Sequence, residues 1–471
     1  VSKYKLSFKN TAALLKYIEE QGVQFVNCNF TDLRGKWHHI IQHTSAYTTD
    51  AFERGIAINA SSIAGWSDTS LSTLLIKPDI SRISYDPFAA QKTIKVFCDV
   101  YNPASNVPYK LDPRDVAKKA QDYLKKSKVG DAAYFGPEIE FFIFDDVKVV
   151  NTANQVGYHL DSEEGSYNKG RDYPTGNMGH RPATNEGYLL ESPVDGLSDI
   201  RAEMLSVIES MGVGVEKHYH GAAPSQCALG IRFAGLLEAA DNVQLYKHVV
   251  HNVAHSYGKS ATFMPKPING DHGSAMRINQ SIWKNGKPLF SGDKYAKLSE
   301  TALYYIGGIL KHARALSAFT NPSTNSYKRL AISEGAPSLL SYSEQSDLTA
   351  CRIPYAQKAS DKRIKACFPD PTANPYLAFS AMLMAGLDGI DNKIHPDAAF
   401  DERAKEENPP QEICRSLRQA LNSLEADHCF LLKEDVFNSD LIKAYIALKT
   451  EEIERYESVT HPMEVDMYYS S

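Results

Sequence analysis

The chain has 471 residues, of which 43% are hydrophobic and 23% charged, and a formal net charge of −6. That length predicts two or three domains, or one large domain with a smaller appendage, with the composition of an ordinary soluble globular protein. An acidic balance without a dense basic run argues against nucleic acid as a partner, and no apolar run approaches the roughly 20 residues of a membrane helix.

The opening VSKYKLSFKN carries charge but no apolar core, so it does not read as a signal peptide. Residues 11 to 22, TAALLKYIEEQG, have helical periodicity and end in Gly22 as a C-cap. VQFVNCNFTDLRGKWHHIIQ then alternates around an Asp-Leu-Arg-Gly turn, the pattern of a hairpin. With a further strand at TIKVFCDVYN, the first hundred residues form a small strand-rich unit. The proline-flanked NPASNVPYKLDP is a linker. It leads into the amphipathic helix DPRDVAKKAQDYLKKS, with Asp112 or a neighbour as cap and Pro113 in the first turn.

Beyond it the strand candidates are AAYFGPEIEFFIF, QCALGIRF, SAMRINQSIW and RIKACF. The helical stretches are SDIRAEMLSVIESMG, NVQLYKHVVHNVAHSYG, SETALYYIGGILKHARALSAF and NPYLAFSAMLMAGLDGI. They alternate without a βαβ rhythm, which favours α+β over a doubly wound sheet. Residues 156 to 186, rich in Gly, Asn, Asp and Tyr, read as a long functional or interfacial loop. Seven cysteines, at 28, 98, 227, 351, 367, 414 and 429, include no CxxC pair, a set that fits reduced thiols in a cytoplasm better than a disulfide framework.

Chemistry enters with FGPEIEFF. Strand alternation puts Glu138 and Glu140 on one face, roughly 7 Å apart. Unless that face belongs to a solvated edge strand, burying both carboxylates requires a cation, either a metal ion or an Arg or Lys side chain. The neighbouring strands supply cations and no carboxylates. SAMRINQSI puts Arg277, Asn279 and Ser281 on one face, RIKACF offers Arg363, Lys365 and Cys367, and SQCALGIRF has Gln226, Ala228, Gly230 and Arg232 on the face in question.

Long stretches of the chain carry a family resemblance: VQFVNCNFTDLRGK, ASSIAGW, FGPEIEFFIFDD, GHRP at Gly179, YKHVVHNVAHSYGKSATFMPKP, LFSGDKYAKLSETALYYIGGILKHA, NPSTNSYKRL, FPDPTANPYLAFSAMLMAGLDGI and HPMEVDMYYS. By these the sequence resembles type I, bacterial glutamine synthetase over almost its whole length. The resemblance implies an α+β fold, with a small N-terminal β-grasp-like domain over 1–105 and a large catalytic-type domain over 106–471. It also implies a dodecamer of two stacked hexameric rings, joined by the C-terminal tail and with active sites between neighbouring subunits. The family's reaction uses ATP, glutamate, ammonia and two Mg²⁺ or Mn²⁺ ions.

Carried over residue by residue, Glu138 and Glu140 match one ligand of each metal. Gly221 and Ala228 stand where the first site's other glutamates are implied, Arg277 where a histidine is implied, and Lys365 where a glutamate is implied. Asn59 replaces the ammonium-binding aspartate, and Gly335 the glutamate of a flap, with Glu334 one position earlier. Asp347 and Cys367 replace two arginines. Arg329, Arg352, Arg363, Gly273, Ser281 and Trp66 match. AFDERAKEENPPQE contains no tyrosine for the family's adenylylation control.

The substitutions predict that Lys365, with Arg277, faces Glu138 and supplies the charge a metal would supply, so that no resident metal or other cofactor is expected. On that reading Glu138, Arg277, Lys365 and Cys367 are the catalytic candidates. Arg329, Arg352, Gly273, Asn59 and Trp66 would bind substrate, and Ser281 and Arg363 would meet a nucleotide if one still binds. The expected function is a family member without glutamate–ammonia ligase activity. One form of it is a repurposed metal-independent enzyme acting on a glutamate-like or other small amino acid, with Cys367, His218 or His220 as nucleophile or base. Another is an inactive scaffold or regulator, alone or co-assembled with an active synthetase. The remaining alternative is a divergent ATP-dependent amide ligase of the γ-glutamyl amide type, keeping one Mg²⁺ or Mn²⁺ on Glu138, Glu140 and a new ligand such as His220 or His272.

Overall fold

The computed structural model describes residues 6–66, 72–332, 336–400 and 410–469. The chain forms an α+β fold of two large sheets, each with its own helices, and a separate two-stranded hairpin. Near the N-terminus, the helix Thr11–Gln21 is capped by Asn10, whose side chain accepts from the Ala13 N–H, and stopped by Gly22 at φ 62°. That φ lies in the left-handed region where glycine carries no steric cost. A five-stranded β-grasp sheet follows, in the order Trp37–His43, Phe25–Thr31, Thr93–Tyr101, Thr73–Tyr85, Ile56–Asn59, with the first two strands forming the expected hairpin.

A buried charge network ties this sheet to the larger unit. Asp241, fully buried, accepts from Arg82 Nε at 2.9 Å, from Arg114 Nε and Nη2 at 3.1 Å each, and from the Tyr376 hydroxyl at 2.7 Å. Arg114 also gives Nη2 to Asp79 at 2.8 Å and reaches Asp99. An isolated buried carboxylate is costly, and two guanidiniums together with a phenol compensate it.

The second sheet runs Leu339–Ser343, Thr349–Arg352, Ile364–Ala366, Met276–Lys284, Ala132–Phe144, Gln226–Ile231, Val215–His220. The strand Ala132–Phe144 decides which face is core. Its odd positions Phe135, Ile139 and Phe141 are fully buried, with Phe135 stacked on Phe379 at 5.1 Å and the Ile139 carbonyl accepting from the Tyr246 hydroxyl at 2.9 Å. Its even positions Glu138 and Glu140 therefore point to the opposite side. The helices Leu236–Ser256, Glu300–Thr320 and Pro375–Asp391 back the core face. The last two approach so closely that a Cβ at Gly308 would lie 2.1 Å from the Ala385 carbonyl oxygen.

Three boundaries differ from the sequence expectation. The stretch 156–186 is not loop throughout, because Gln155–Asp161 pairs with Asp146–Thr152 as a projecting hairpin. Both faces of that arm are largely exposed, so it carries no apolar alternation. The helix expected from Asn242 starts at Leu236, and the RIKACF strand shrinks to Ile364–Ala366. The seven cysteines are free, and all but Cys429 are buried. Among the described residues no helix is long and apolar enough to cross a membrane.

Candidate active site

Strand register builds the site. The central strand Met276–Lys284 lies antiparallel between Ala132–Phe144 and Ile364–Ala366, with Arg277 opposite Glu138 on one side and Asn279 opposite Lys365 on the other. The next strand puts Arg352 opposite Lys365, and beyond Glu140 lie Ala228 and then Tyr219. A single sheet face thus gathers Glu138, Glu140, Arg277, Asn279 and Lys365, five polar residues from three strands.

Each carboxylate has its own cation. Lys365 Nζ lies 2.8 Å from Glu138 Oε1 and 2.9 Å from Oε2, and Asn279 Nδ2 donates to Oε1 at 2.9 Å. Burial pushes the Glu138 carboxyl up, but the Lys365 charge and hydrogen bond, with Asn279, hold it below its ordinary value. Arg277 Nη1 pairs with Glu140 Oε1, whose partner oxygen Oε2 accepts from the Ala275 N–H at 2.8 Å. The Glu140 charge raises the pKa of Arg277 against burial, so the guanidinium is permanently charged. Both cations were expected on Glu138, and the structure divides them. The Lys365 ammonium bridges both Glu138 oxygens, and the longer fork of Arg277 reaches along the strand to Glu140.

Arg329 approaches this floor from the helix Ser326–Ile332. It is buried and gives Nη1 to the carbonyls of Phe368 and Pro369 at 2.8 and 3.4 Å, and Nη2 to that of Cys367 at 3.0 Å. No carboxylate lies within ion-pair distance of it among the described residues; burial, with the nearby Arg277 charge adding to it, lowers its pKa to about 10 despite Asp370. Gly273 packs against it, since a Cβ there would sit 3.2 Å from Arg329 Cγ and 2.3 Å from the Pro265 carbonyl oxygen. Arg363 donates Nε to Asn279 Oδ1 at 3.0 Å and lies over the Phe233 ring. Cys367 is buried, and burial raises its thiol pKa against the opposing charges of Arg277, Lys365 and Arg352.

Other candidates are not brought into this cluster. Asn59 is on the β-grasp sheet, its Oδ1 accepting from the Ser61 N–H and hydroxyl at 3.1 and 2.8 Å, in a cleft of about 570 Å³ beside Lys36, Trp37 and His38. Trp66 is buried between Phe30 and Tyr109. Arg352 turns to Asp347, and Ser281 accepts the Trp283 indole N–H at 3.1 Å. His272 bonds Asp271 through its backbone N–H. Glu334 and Gly335 lie outside the described residues, as does most of AFDERAKEENPPQE. A side chain at Gly221 would have to displace that of Gln226, because a Cβ would be 2.5 Å from it.

A second polar group, invisible to sequence periodicity, lies at Gly221. Glu164, Asp195 and His220 are buried, with ligand-type atoms all within 4.8 Å of one another. His220 Nε2 is 3.0 Å from Glu164 Oε2, and Nδ1 is 2.8 Å from the Gly221 carbonyl oxygen. Burial disfavours the imidazolium, but Glu164 and the Gly221 carbonyl raise the His220 pKa overall. Asp195 is held by both Nη atoms of Arg201. Glu164 and Asp195 sit in irregular segments, where no period marks them as inward-facing.

Two carboxylates and an imidazole oriented by a carbonyl are donors of the right kind for a divalent ion. Glu138 and Glu140 each already hold a side-chain cation, as Asp195 does with Arg201, so an ion at either group would have to displace those contacts.

Comparison with known proteins places these features. The family described as "Glutamine synthetase, catalytic domain" matches residues 110–468, and "Glutamine synthetase, beta-Grasp domain" matches 22–103. The chain is 54% identical over 458 residues, 96% of its length, to a glutamine synthetase of Azospirillum brasilense, 98% of which is covered. It is 51% identical to that of Rhizobium meliloti over 97% of this chain and 98% of the relative. A Plasmodium falciparum glutamine synthetase structure superposes with a TM-score of 0.93 at 28% identity, covering 99% of this chain and 100% of that one.

These matches overturn the expectation of a chain without ligase activity, in both its repurposed and its scaffold or regulator forms. Identity of half or more, sustained across both domains, groups the chain with proteins named as synthetases. The expectation of no metal and no nucleotide falls with it, because the Glu164, Asp195 and His220 group offers an ion a ligand set that the strand residues alone did not. A floor lined by cations is also suited to phosphate groups.

Proposed function

Since the chain belongs to the glutamine synthetase family, we propose that it joins ammonia to the side-chain carboxylate of glutamate at the expense of ATP. The observation that carries this reading is the 54% identity to a glutamine synthetase over 96% of the chain. In the reaction the glutamate carboxylate takes the terminal phosphoryl group of ATP, ADP leaves, and ammonia displaces phosphate to give the amide.

The pocket supports anionic reactants. Arg277, Arg329, Arg363 and Lys365 meet on a floor whose ion-paired carboxylates are Glu138 and Glu140. Arg329, braced by Gly273 and the 367–369 carbonyls, is the substrate carboxylate's partner, and Lys365 and Arg277 are the fixed charges nearest the reacting groups. Relative to the family pattern, this chain supplies part of the site's positive charge from side chains at positions 277 and 365. A divalent ion, where bound, would be held by Glu164, Asp195 and His220 and would supply charge neutralisation; these residues otherwise anchor Gly221 beneath the pocket.

Asn59, at the end of the strand Ile56–Asn59, completes the site across a subunit boundary in a homo-oligomer of two stacked hexamers, while Trp66, buried against Phe30 and Tyr109, supports that end of the domain from within. Support for assembly comes from the C-terminal helix Pro462–Tyr468, which leaves Met463, Val465, Met467 and Tyr468 exposed. We place the boundary between the two domains at residues 105 and 106, and the protein in the cytoplasm, in keeping with its unpaired cysteines.

The test is formation of glutamine from glutamate, ammonium and ATP with Mg²⁺ or Mn²⁺, followed by mass spectrometry with ¹⁵N-ammonium. Labelled glutamine supports the reading, and ATP turnover without it, or no turnover with either metal, refutes it.

A further inference from the structure

Arg277 spends only Nη1 on Glu140, and its Nε and Nη2 have no acceptor among the described residues. Its side chain keeps 36% of its accessible surface, while that of Glu140 keeps 10%. Lys365 gives Glu138 a bridging pair of contacts, which leaves the ammonium a further N–H. Arg329 lies behind them, bonded only to carbonyl oxygens. Cations therefore outnumber the carboxylates that pair with them, and Arg277 and Lys365, with donors left over, both belong to the sheet face that carries Glu138.

We propose that Arg277 and Lys365 form a binding site for a phosphate-sized oxyanion, with Arg277 giving the Nε–Nη2 edge and Lys365 its remaining N–H. A planar guanidinium edge matches two oxygens of a tetrahedral anion, and an ammonium takes a third as a point charge. Glu138 and Glu140 stop the two cations from swinging away, so the site is pre-organised. Asn279, bonded to both Glu138 and Arg363, fixes the strand residue between them. This inference rests on the phosphoryl-transfer reading and gives it a residue-level anion site. The same chemistry would accept free phosphate or the terminal phosphate of a nucleotide.

Calorimetry on the full chain, with chelator present and no turnover possible, separates these sources. Inorganic phosphate and ATP are titrated into the parent chain and into Arg277→Gln, Lys365→Gln and Arg277→Lys. Loss of two charge-assisted hydrogen bonds predicts phosphate binding weakened about 10- to 100-fold by Arg277→Gln and about 10-fold by Lys365→Gln, with Arg277→Lys retaining part of the affinity. A matching loss for ATP assigns the nucleotide's terminal phosphate to the site, and a loss for phosphate alone assigns the free anion. Thermal melting of each variant identifies any that fail to fold, and Arg277→Lys, which keeps the pair with Glu140, then carries the comparison. Phosphate affinity unchanged in folded variants, or no phosphate binding by the parent chain, overturns the proposal. Glutamine synthesis by a chain whose phosphate affinity ignores Arg277 would sink this inference alone, and Arg277-dependent binding without glutamine would sink only the functional reading.

Discussion

Lys365 and Glu138 come from strands that are not adjacent, yet the ammonium lies within 2.9 Å of both carboxylate oxygens. The pair spans the strand of Arg277 and Asn279 and neutralises a carboxylate that the core-facing periodicity of Phe135, Ile139 and Phe141 obliges to face the pocket. Lys365→Met should leave Glu138 half-buried and unpaired and cost about 1–3 kcal/mol. Urea unfolding of the single variant and of Lys365→Met/Glu138→Gln checks this, with the double variant recovering part of the loss.

Asp241 holds the two sheets together. With Arg82, Arg114 and Tyr376 all converging on it, Asp241→Asn removes a buried charge and leaves two guanidiniums undercompensated, at a cost of about 3–5 kcal/mol. We expect the β-grasp sheet to lose protection first, readable as earlier hydrogen exchange across Phe25–Thr31 and Thr93–Tyr101 than across Ala132–Phe144.

Asp79 gives the acid limb of stability. Burial raises its carboxyl pKa, but the Arg114 charge and the Ser81 hydroxyl and N–H together bring it down to about 2. A carboxyl lowered in the fold stabilises above its unfolded value near 4, and that stability drains as pH falls toward 2, by about 1–2 kcal/mol for this group. Denaturant midpoints from pH 5 to 2 should fall less steeply in Asp79→Asn than in the parent chain.

Gly273 is a spacing residue for Arg329. Its Cβ would collide with the Pro265 carbonyl and crowd the stem of Arg329, so Gly273→Ala should raise the KM for the amino-acid substrate about tenfold or more, with a smaller change in kcat. Steady-state kinetics with ATP saturating makes the comparison.

Removing both fixed cations should open the strand pair to a metal. In Arg277→His/Lys365→Glu, Glu138 and Glu140 gain an imidazole and a third carboxylate as neighbours, all acceptors when deprotonated. Manganese titration followed by electron paramagnetic resonance should then show at least one bound ion per chain more than the parent.

Much of this site could be read in the sequence, because strand alternation is a local property. The spacing of Glu138 and Glu140, of Arg277 and Asn279, and of Arg363, Lys365 and Cys367 placed each set on one face, and Arg277 and Lys365 were legible there as the cations. Alternation does not report how far a side chain reaches, and so the division of Arg277 to Glu140 and Lys365 to Glu138 had to come from the assembled sheet. Glu164 and Asp195 were out of reach for a different reason: they lie in irregular backbone that meets His220 only through tertiary folding. The projecting hairpin Asp146–Thr152 with Gln155–Asp161 lacks a buried face, so nothing in its pattern separated it from loop. Taken alone, the substitutions at 221, 228, 277 and 365 point to lost activity, whereas long stretches such as FPDPTANPYLAFSAMLMAGLDGI carry the kinship with synthetases.

The most direct measurement is single-turnover chemistry on the purified full-length chain, with ATP labelled in its terminal phosphate, glutamate and ¹⁵N-ammonium. The account predicts labelled glutamine and inorganic phosphate in equal amounts, both reduced by Arg277→Gln. ATP and glutamate recovered unchanged with Mg²⁺ and with Mn²⁺ would contradict it.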